Sequence, residues 1–199
     1  MIAVINLGNS NITSIINALE YLNIKYIVTK NYRDIEKCSK ILLPGVGSFG
    51  NGIDELMRLN LFNTLKSEVL VNKKPILGIC LGMQLLFEKS EESLNVEGLS
   101  LLKGEVVKLP DSVYYTIPRI GWADSRVNFD FLSLKKDEQI DFYYIHSFYV
   151  HPDDKSIVSI STDKNITSAI NFKNIYGCQF HPEKSYTKGL QILEGFVKL

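Results

Sequence analysis

No pair of cysteines in this sequence reads as a bridge or a metal clip. Cys38, Cys80 and Cys178 are odd in number, widely spaced and without a C-x-x-C. They suit free thiols in a reducing compartment better than a disulfide framework or a zinc site. Neither sign of charge prevails, with 22 Lys and Arg against 22 Asp and Glu, and no basic stripe runs along the chain. Nothing therefore points to nucleic acid or to an anionic membrane surface. Long apolar runs are missing, and the opening MIAVINLGNSN has no basic segment, extended apolar stretch or small-residue cleavage site; a cytoplasmic protein is expected. There is no Pro/Gly/Ser linker, internal repeat or low-complexity tract. With 199 residues, 45% of them hydrophobic, a single domain over residues 1–199 with a substantial core is expected.

What is present alternates. Ile2 to Ile5 reads as a strand, and SNITSIINALEYL from Ser10 as a helix with Ile12, Ile15, Ile16, Leu19 and Leu22 on one face. Lys25 to Thr29 and Ile41 to Leu43 read as strands, the latter ending at Pro44 and entering the glycine-rich GVGSFGNG. Helical spacing runs from about Ile53 to Val71, followed by a strand over Ile76 to Ile79 and a helix carrying Met83, Leu86 and Phe87. This alternation predicts an α/β fold, with a mostly parallel sheet flanked by helices. From about Leu99 the texture changes to β-rich runs, among them DFYYIHSFYV, SIVSIST, TSAINF and IYGCQF. These predict an antiparallel β extension in the C-terminal half, closed by a helix bearing Leu190, Leu193, Phe196 and Val197.

Gly78-Ile-Cys-Leu-Gly82 has the G-x-nucleophile-x-G form of a strand-to-helix elbow, which exposes the central side chain at the carboxyl edge of a sheet. At such a turn, flanking glycines are needed because a Cβ would clash with the packed helix and strand, and the helix N-terminus favours a thiolate. On the pentapeptide alone a buried core cysteine explains Cys80 as well.

A thiol nucleophile needs a base, and the base an orienting group. Both are offered by His181-Pro182-Glu183 in QFHPEKS. Pro182 disfavours helix at His181, and in an extended segment residues i and i+2 point to one side, so imidazole and carboxylate can face one pocket. Alone, H-P-E reads as a surface turn; with the elbow it reads as catalysis. His146 lies in an alternating β run with no carboxylate two residues on, which suits a structural or pocket-rim role, and His151 in its acidic turn is expected at the surface. A third signal is PGVGSFG, whose glycines let backbone approach a substrate. In such enzymes one oxyanion donor is the amide after the nucleophile, here Leu81, and another comes from a neighbouring strand's loop. The loop lacks the G-K-[ST] of a phosphate site.

Taken together, PGVGSFG, GICLGMQLLFEKSEE, PRIGW, YYIHSFY and QFHPEKS resemble the class I, triad-type glutamine amidotransferases, and within them most closely the glutaminase subunits of imidazole glycerol phosphate synthases. The resemblance covers essentially the whole chain and implies a flavodoxin-like α/β fold. It implies that Cys80 attacks the carboxamide of L-glutamine, His181 moves protons, Glu183 orients His181, and a glutamyl thioester forms and is hydrolysed. Leu81 and, after a loop rearrangement, Val46 or Gly47 would hold the oxyanion. Gly45, Gly47, Gln84, Glu92, Ser147 and Phe148 match the glutamine pocket, and Asn11, Trp122, Tyr143 and Lys184 match a partner interface and its gate. Trp122 as a core aromatic stays open.

No residues remain for a synthase, so the ammonia goes to a partner. In the resembled family that partner is a (β/α)8 barrel cyclase, which makes a heterodimer, and no cofactor or metal is expected. One departure bears on the acceptor: the family usually begins with a loop of the Asp-Tyr-Gly-x-Gly-Asn type, whereas this chain has Asn6-Leu-Gly-Asn-Ser-Asn11. That keeps open a paralogue serving amidination of a bacterial surface sugar. A γ-glutamyl peptidase is a more distant alternative.

Overall fold

Strand β1 (Ile2–Ile5) is buried on both faces, Ala3 and Ile5 in one core cluster and Ile2 and Val4 in the other. That is the mark of a central strand in a sheet covered by helices on both sides. The computed structural model of the protein describes residues 1–8, 12–111, 115–162 and 166–199; Asn11 lies outside them. Helix α1 (Ile12–Tyr21) buries Ile15, Ala18 and Leu19, a three-and-four spacing that makes a single stripe. β2 (Tyr26–Thr29) follows, then a short helix α2 (Tyr32–Lys37) with no clear apolar period, started by the Asn31 side chain accepting from the Arg33 N–H.

β3 runs from Lys40 to Gly45, longer than the expected Ile41 to Leu43, and passes through Pro44. Its pairing with β1 stops at Leu42, so proline removes no ladder bond on that side, while β4 (Ile76–Cys80) stays paired as far as Gly45 opposite Cys80. The helical stretch expected over Ile53 to Val71 is two helices, α3 (Phe49–Arg58) and α4 (Phe62–Leu70). They are broken by Asn60 at φ 57°, a left-handed conformation that asparagine tolerates better than most residues. After β4 comes a single-turn helix α5 (Leu81–Gln84); Leu86 and Phe87, expected on it, lie beyond its end.

In the second half, β5 (Lys89–Ser90), β6 (Gly104–Lys108) and β9 (Phe148–Pro152) form a small sheet. β7 (Arg119–Val127), β8 (Gln139–His146), β10 (Val158–Thr162), β11 (Ile166–Phe172) and β12 (Ile175–Cys178) join the large one. The run DFYYIHSFYV is thus two strands in different sheets, parted at Ser147. The large sheet has the order β2-β1-β3-β4-β12-β11-β10-β7-β8. Its first five strands are parallel and the rest antiparallel, a flavodoxin-like half extended at one edge. Helices α3 and α4 pack on one face; α1 and the closing α6 (Tyr186–Val197), through Ile192, Leu193 and Phe196, pack on the other. Among the described residues no helix is long and apolar enough to cross a membrane.

Candidate active site

Cys80 is the last residue of β4 and adopts φ 55°, ψ −114°, a conformation that L-residues rarely hold without compensation elsewhere. The flanking glycines make it possible. A Cβ on Gly82 would stand 1.7 Å from the Leu43 carbonyl oxygen, and one on Gly78 2.6 Å from that of Gly82. Strand, elbow and helix are therefore packed backbone on backbone, and the sulfur is turned to the carboxyl edge of the sheet, where ligands of open α/β sheets bind.

The loop after β12 brings the second group. His181 Nδ1 lies 2.9 Å from Glu183 Oε1, and the imidazole interacts electrostatically with Cys80 as well. With Nδ1 on the carboxylate, Nε2 is the ring nitrogen left to exchange a proton with the sulfur. The expected extended segment is in fact a 3-10 turn over Pro182–Lys184, so the pairing arises from tight winding after proline rather than from strand alternation. β8 pins this loop. The His181 N–H donates to the Tyr143 carbonyl (2.9 Å), and Ser185 Oγ accepts from the Tyr143 N–H (3.0 Å) while donating to the His181 carbonyl (2.7 Å). Burial, the largest single influence on His181, pushes its pKa down. The hydrogen bonds and charges of Cys80 and Glu183 outweigh it and lift the pKa to about 10. His146 goes the other way, down to about 4, because it is buried first and faces Arg119 and His181 besides. It is a neutral wall residue, donating from Nδ1 to the Phe148 carbonyl (2.9 Å). Its Nε2, like Glu183 Oε2, has no partner among the described residues. His151 is exposed, as expected.

These groups line one cavity of about 250 Å³, together with Gly45, Val46, Gly47, Leu81, Gln84, Glu92, Ser147 and Phe148. That is smaller than the roughly 300–1,000 Å³ of sites for drug-sized ligands and suits a single amino acid. Every glutamine-pocket residue expected from the sequence is brought there. Gly47 has φ 101°, in the left-handed region that favours glycine, and a Cβ there would meet nothing within 4 Å. Glu92 also accepts the Phe49 N–H (2.7 Å), and Ser93 Oγ that of Gly50 (2.9 Å), which ties the glycine loop and the start of α3 to the segment after β5. Gln84 Nε2 donates to the Phe148 carbonyl (3.0 Å). The sequence assigns Ser185, Ser93 and Gln179 no role of their own, although Gln179 and Ser185 bound the QFHPEKS motif, because what they do depends on contacts between distant segments.

Lys184 lines both this cavity and a neighbouring cleft with Tyr186, Tyr21 and Leu190. Its ammonium lies 5.7 Å from the centre of the Tyr143 ring, and Tyr143 meets Trp122 edge-on at 5.9 Å. Trp122 is 45% exposed and stacks on Tyr186 at 4.8 Å, so it is not a core aromatic. Across the outward face of β7 and β8, Trp122 pairs with Tyr143 and Ile120 with Ile145, an apolar surface beside the cavity.

Among known proteins, the family described as glutamine amidotransferase class-I matches residues 3–199. A protein of Campylobacter jejuni (strain RM1221) named imidazole glycerol phosphate synthase subunit HisH 1 is 40% identical over 207 residues, covering all of both chains. Proteins named imidazole glycerol phosphate synthase subunit HisH from Bacillus cereus (strain B4264) and Methanocaldococcus jannaschii are 43% and 39% identical, over 98% and 100% of this chain and 93% and 100% of theirs. A crystal structure of a glutamine amidotransferase superposes with TM-score 0.79 at 15% identity, over 99% of this chain and 97% of that one. The glutaminase domain of Trypanosoma brucei CTPS with bound acivicin superposes with TM-score 0.68 at 16% identity, over 99% and 93%. At that identity they speak to the fold.

Proposed function

We infer that this chain, which belongs to the class I glutamine amidotransferase family, hydrolyses glutamine as the glutaminase subunit of an imidazole glycerol phosphate synthase and passes the ammonia to a separate cyclase subunit. The observation that carries the reading is an imidazole hydrogen-bonded to a buried carboxylate and sharing one cavity of amino-acid size with a cysteine at a strained elbow. The names of full-length relatives near 40% identity supply the pathway.

On this reading glutamine is hydrolysed in two stages. With its proton taken by His181, the Cys80 sulfur attacks the carboxamide carbon of glutamine. The oxygen gains negative charge and is met by the Leu81 amide and, after the glycine loop reorients, by that of Val46 or Gly47. His181 returns the proton to the departing nitrogen, ammonia leaves, and a glutamyl thioester remains on Cys80. Water, deprotonated by the same imidazole, opens the thioester and releases glutamate. Glu183 holds the ring in register and stabilises its charged form. Gln84, Glu92, Ser147 and Phe148 surround the amino-acid end, and Lys184, between the cavity and the next cleft, is placed to gate the ammonia's exit towards a (β/α)8 barrel partner docked over Trp122 and Tyr143.

The test is conversion of glutamine to glutamate by the chain alone and with candidate cyclases, titrated with each cyclase's acceptor. Strong stimulation by the histidine-pathway cyclase and its nucleotide is expected, with Cys80→Ala reducing it by at least about 10³-fold. Stimulation only by a cyclase acting on a surface sugar would move the pathway, and turnover of γ-glutamyl peptides in preference to glutamine would replace the reaction. Full activity in Cys80→Ala would end the mechanism.

A further inference from the structure

One buried side chain outside the triad touches both the nucleophile and the glutamine pocket. Gln179, just past β12, is fully buried, its backbone N–H donating to the Ser168 carbonyl (2.8 Å). Its side-chain Nε2 donates to Cys80 Sγ (3.6 Å), and its Oε1 accepts from Gln84 Nε2 (3.0 Å). This orientation is dictated from a distance. Gln84 Nε2 also donates to the backbone carbonyl of Phe148 (3.0 Å), and a carbonyl only accepts, so the Gln84 atom there must be nitrogen. Gln179 must then present oxygen to Gln84, which leaves its NH2 on the sulfur. Both hydrogens of Gln84 Nε2 are used in this way, and its Oε1 remains as an acceptor on a residue that lines the cavity.

We propose that Gln179 is a positioning residue that couples the glutamine pocket to the nucleophile, holding an N–H on Cys80 Sγ while fixing the Gln84 amide so that its oxygen serves the substrate. The proposal rests on the glutaminase reading for what fills the pocket; the amide relay itself belongs to this chain. The titratable groups around the sulfur are His181 and Glu183 from the loop after β12, Cys178 from β12, and His146 from β8 beside His181. The Gln179 side chain hydrogen-bonds Cys80 and Gln84 rather than any of these four.

The experiment is alkylation of the full chain by iodoacetamide at pH 7, mapped to Cys80 by mass spectrometry and read beside the melting midpoint. Alkylation goes through the thiolate, so losing an N–H that favours this form in Gln179→Met, similar in size, is expected to slow it about tenfold. Gln84→Met, at a side chain that bonds Phe148 and Gln179 rather than the sulfur, is expected to slow it too, because the freed Gln179 amide turns. The double variant should then be no slower than Gln179→Met alone. Gln179→Glu still accepts from Gln84 but sets an oxygen on the sulfur; it should keep KM for glutamine within about twofold in the partnered assay, whereas Gln179→Met raises KM. Alkylation of folded Gln179→Met or Gln179→Glu within about twofold of wild type, or fully additive effects at 84 and 179, would overturn the proposal. Because alkylation needs neither glutamine nor a partner, a wild-type chain inert to glutamine would remove the functional reading, while the alkylation rates would still decide for or against the relay.

Discussion

His181 and Glu183, separated in sequence only by a proline, meet at 2.9 Å across a 3-10 turn, both side chains almost wholly buried. The imidazole pKa of about 10 lies above its ordinary 6.5, so folding favours the protonated ring. That contribution to stability is complete below pH about 6.5 and is lost as pH rises through about 10. Glu183→Gln removes one of the charges that lifts the ring. The melting midpoint of the variant is expected to fall less steeply than that of wild type between pH 6.5 and 10, and kcat to drop by about 10³-fold or more. Parallel melting curves would show that the carboxylate does not set the ring's charge.

Gly82→Ala should destabilise the chain by about 3 kcal/mol or more in urea unfolding, since its Cβ meets the Leu43 carbonyl at 1.7 Å and backbone cannot rotate away. Gly47→Ala, strained at φ 101° but facing open space, should cost about 1 kcal/mol. Similar losses at the two positions would contradict the backbone contact at the elbow.

Lys74 and Glu68 form a buried ion pair at the end of the sheet away from the site. Lys74 also donates to the Ile35 carbonyl (2.6 Å), and Glu68 accepts from Asn72 (2.8 Å). Lys74→Met leaves a buried carboxylate without its cation and should cost about 3–5 kcal/mol. Adding Glu68→Leu should recover most of that loss, because the remaining cost is mainly one uncompensated charge. A double variant as unstable as the single one would assign the loss to packing instead.

Trp122→Ala removes an exposed indole stacked on Tyr186 beside the cavity. If this face receives the cyclase, titration calorimetry should show at least about 2 kcal/mol of lost binding, roughly a 30-fold weaker Kd, with Cys80 alkylation in the free chain unchanged. Undiminished binding would move the interface elsewhere.

The alternation of strands and helices, the antiparallel extension, the elbow glycines and the cysteine between them are all legible in the chain before it folds. Each is a local signal: apolar period, glycine spacing, or a proline next to histidine. Boundaries are less legible where local rules compete. Pro44 marks the end of a strand that in fact runs on to Gly45, Asn60 breaks a continuous helical pattern, and α2 has too little apolar period to stand out. What the side chains do to one another is set by packing alone. His181 meets Cys80 across about a hundred residues of chain, Tyr143 and Ser185 hold the histidine loop, and Gln84, Phe148 and Gln179 settle which amide atom faces the sulfur. The reason is physical. Period and turn chemistry act within a few residues, whereas a hydrogen bond's direction and a buried group's charge depend on whatever neighbour the packed sheet brings within about 3 Å.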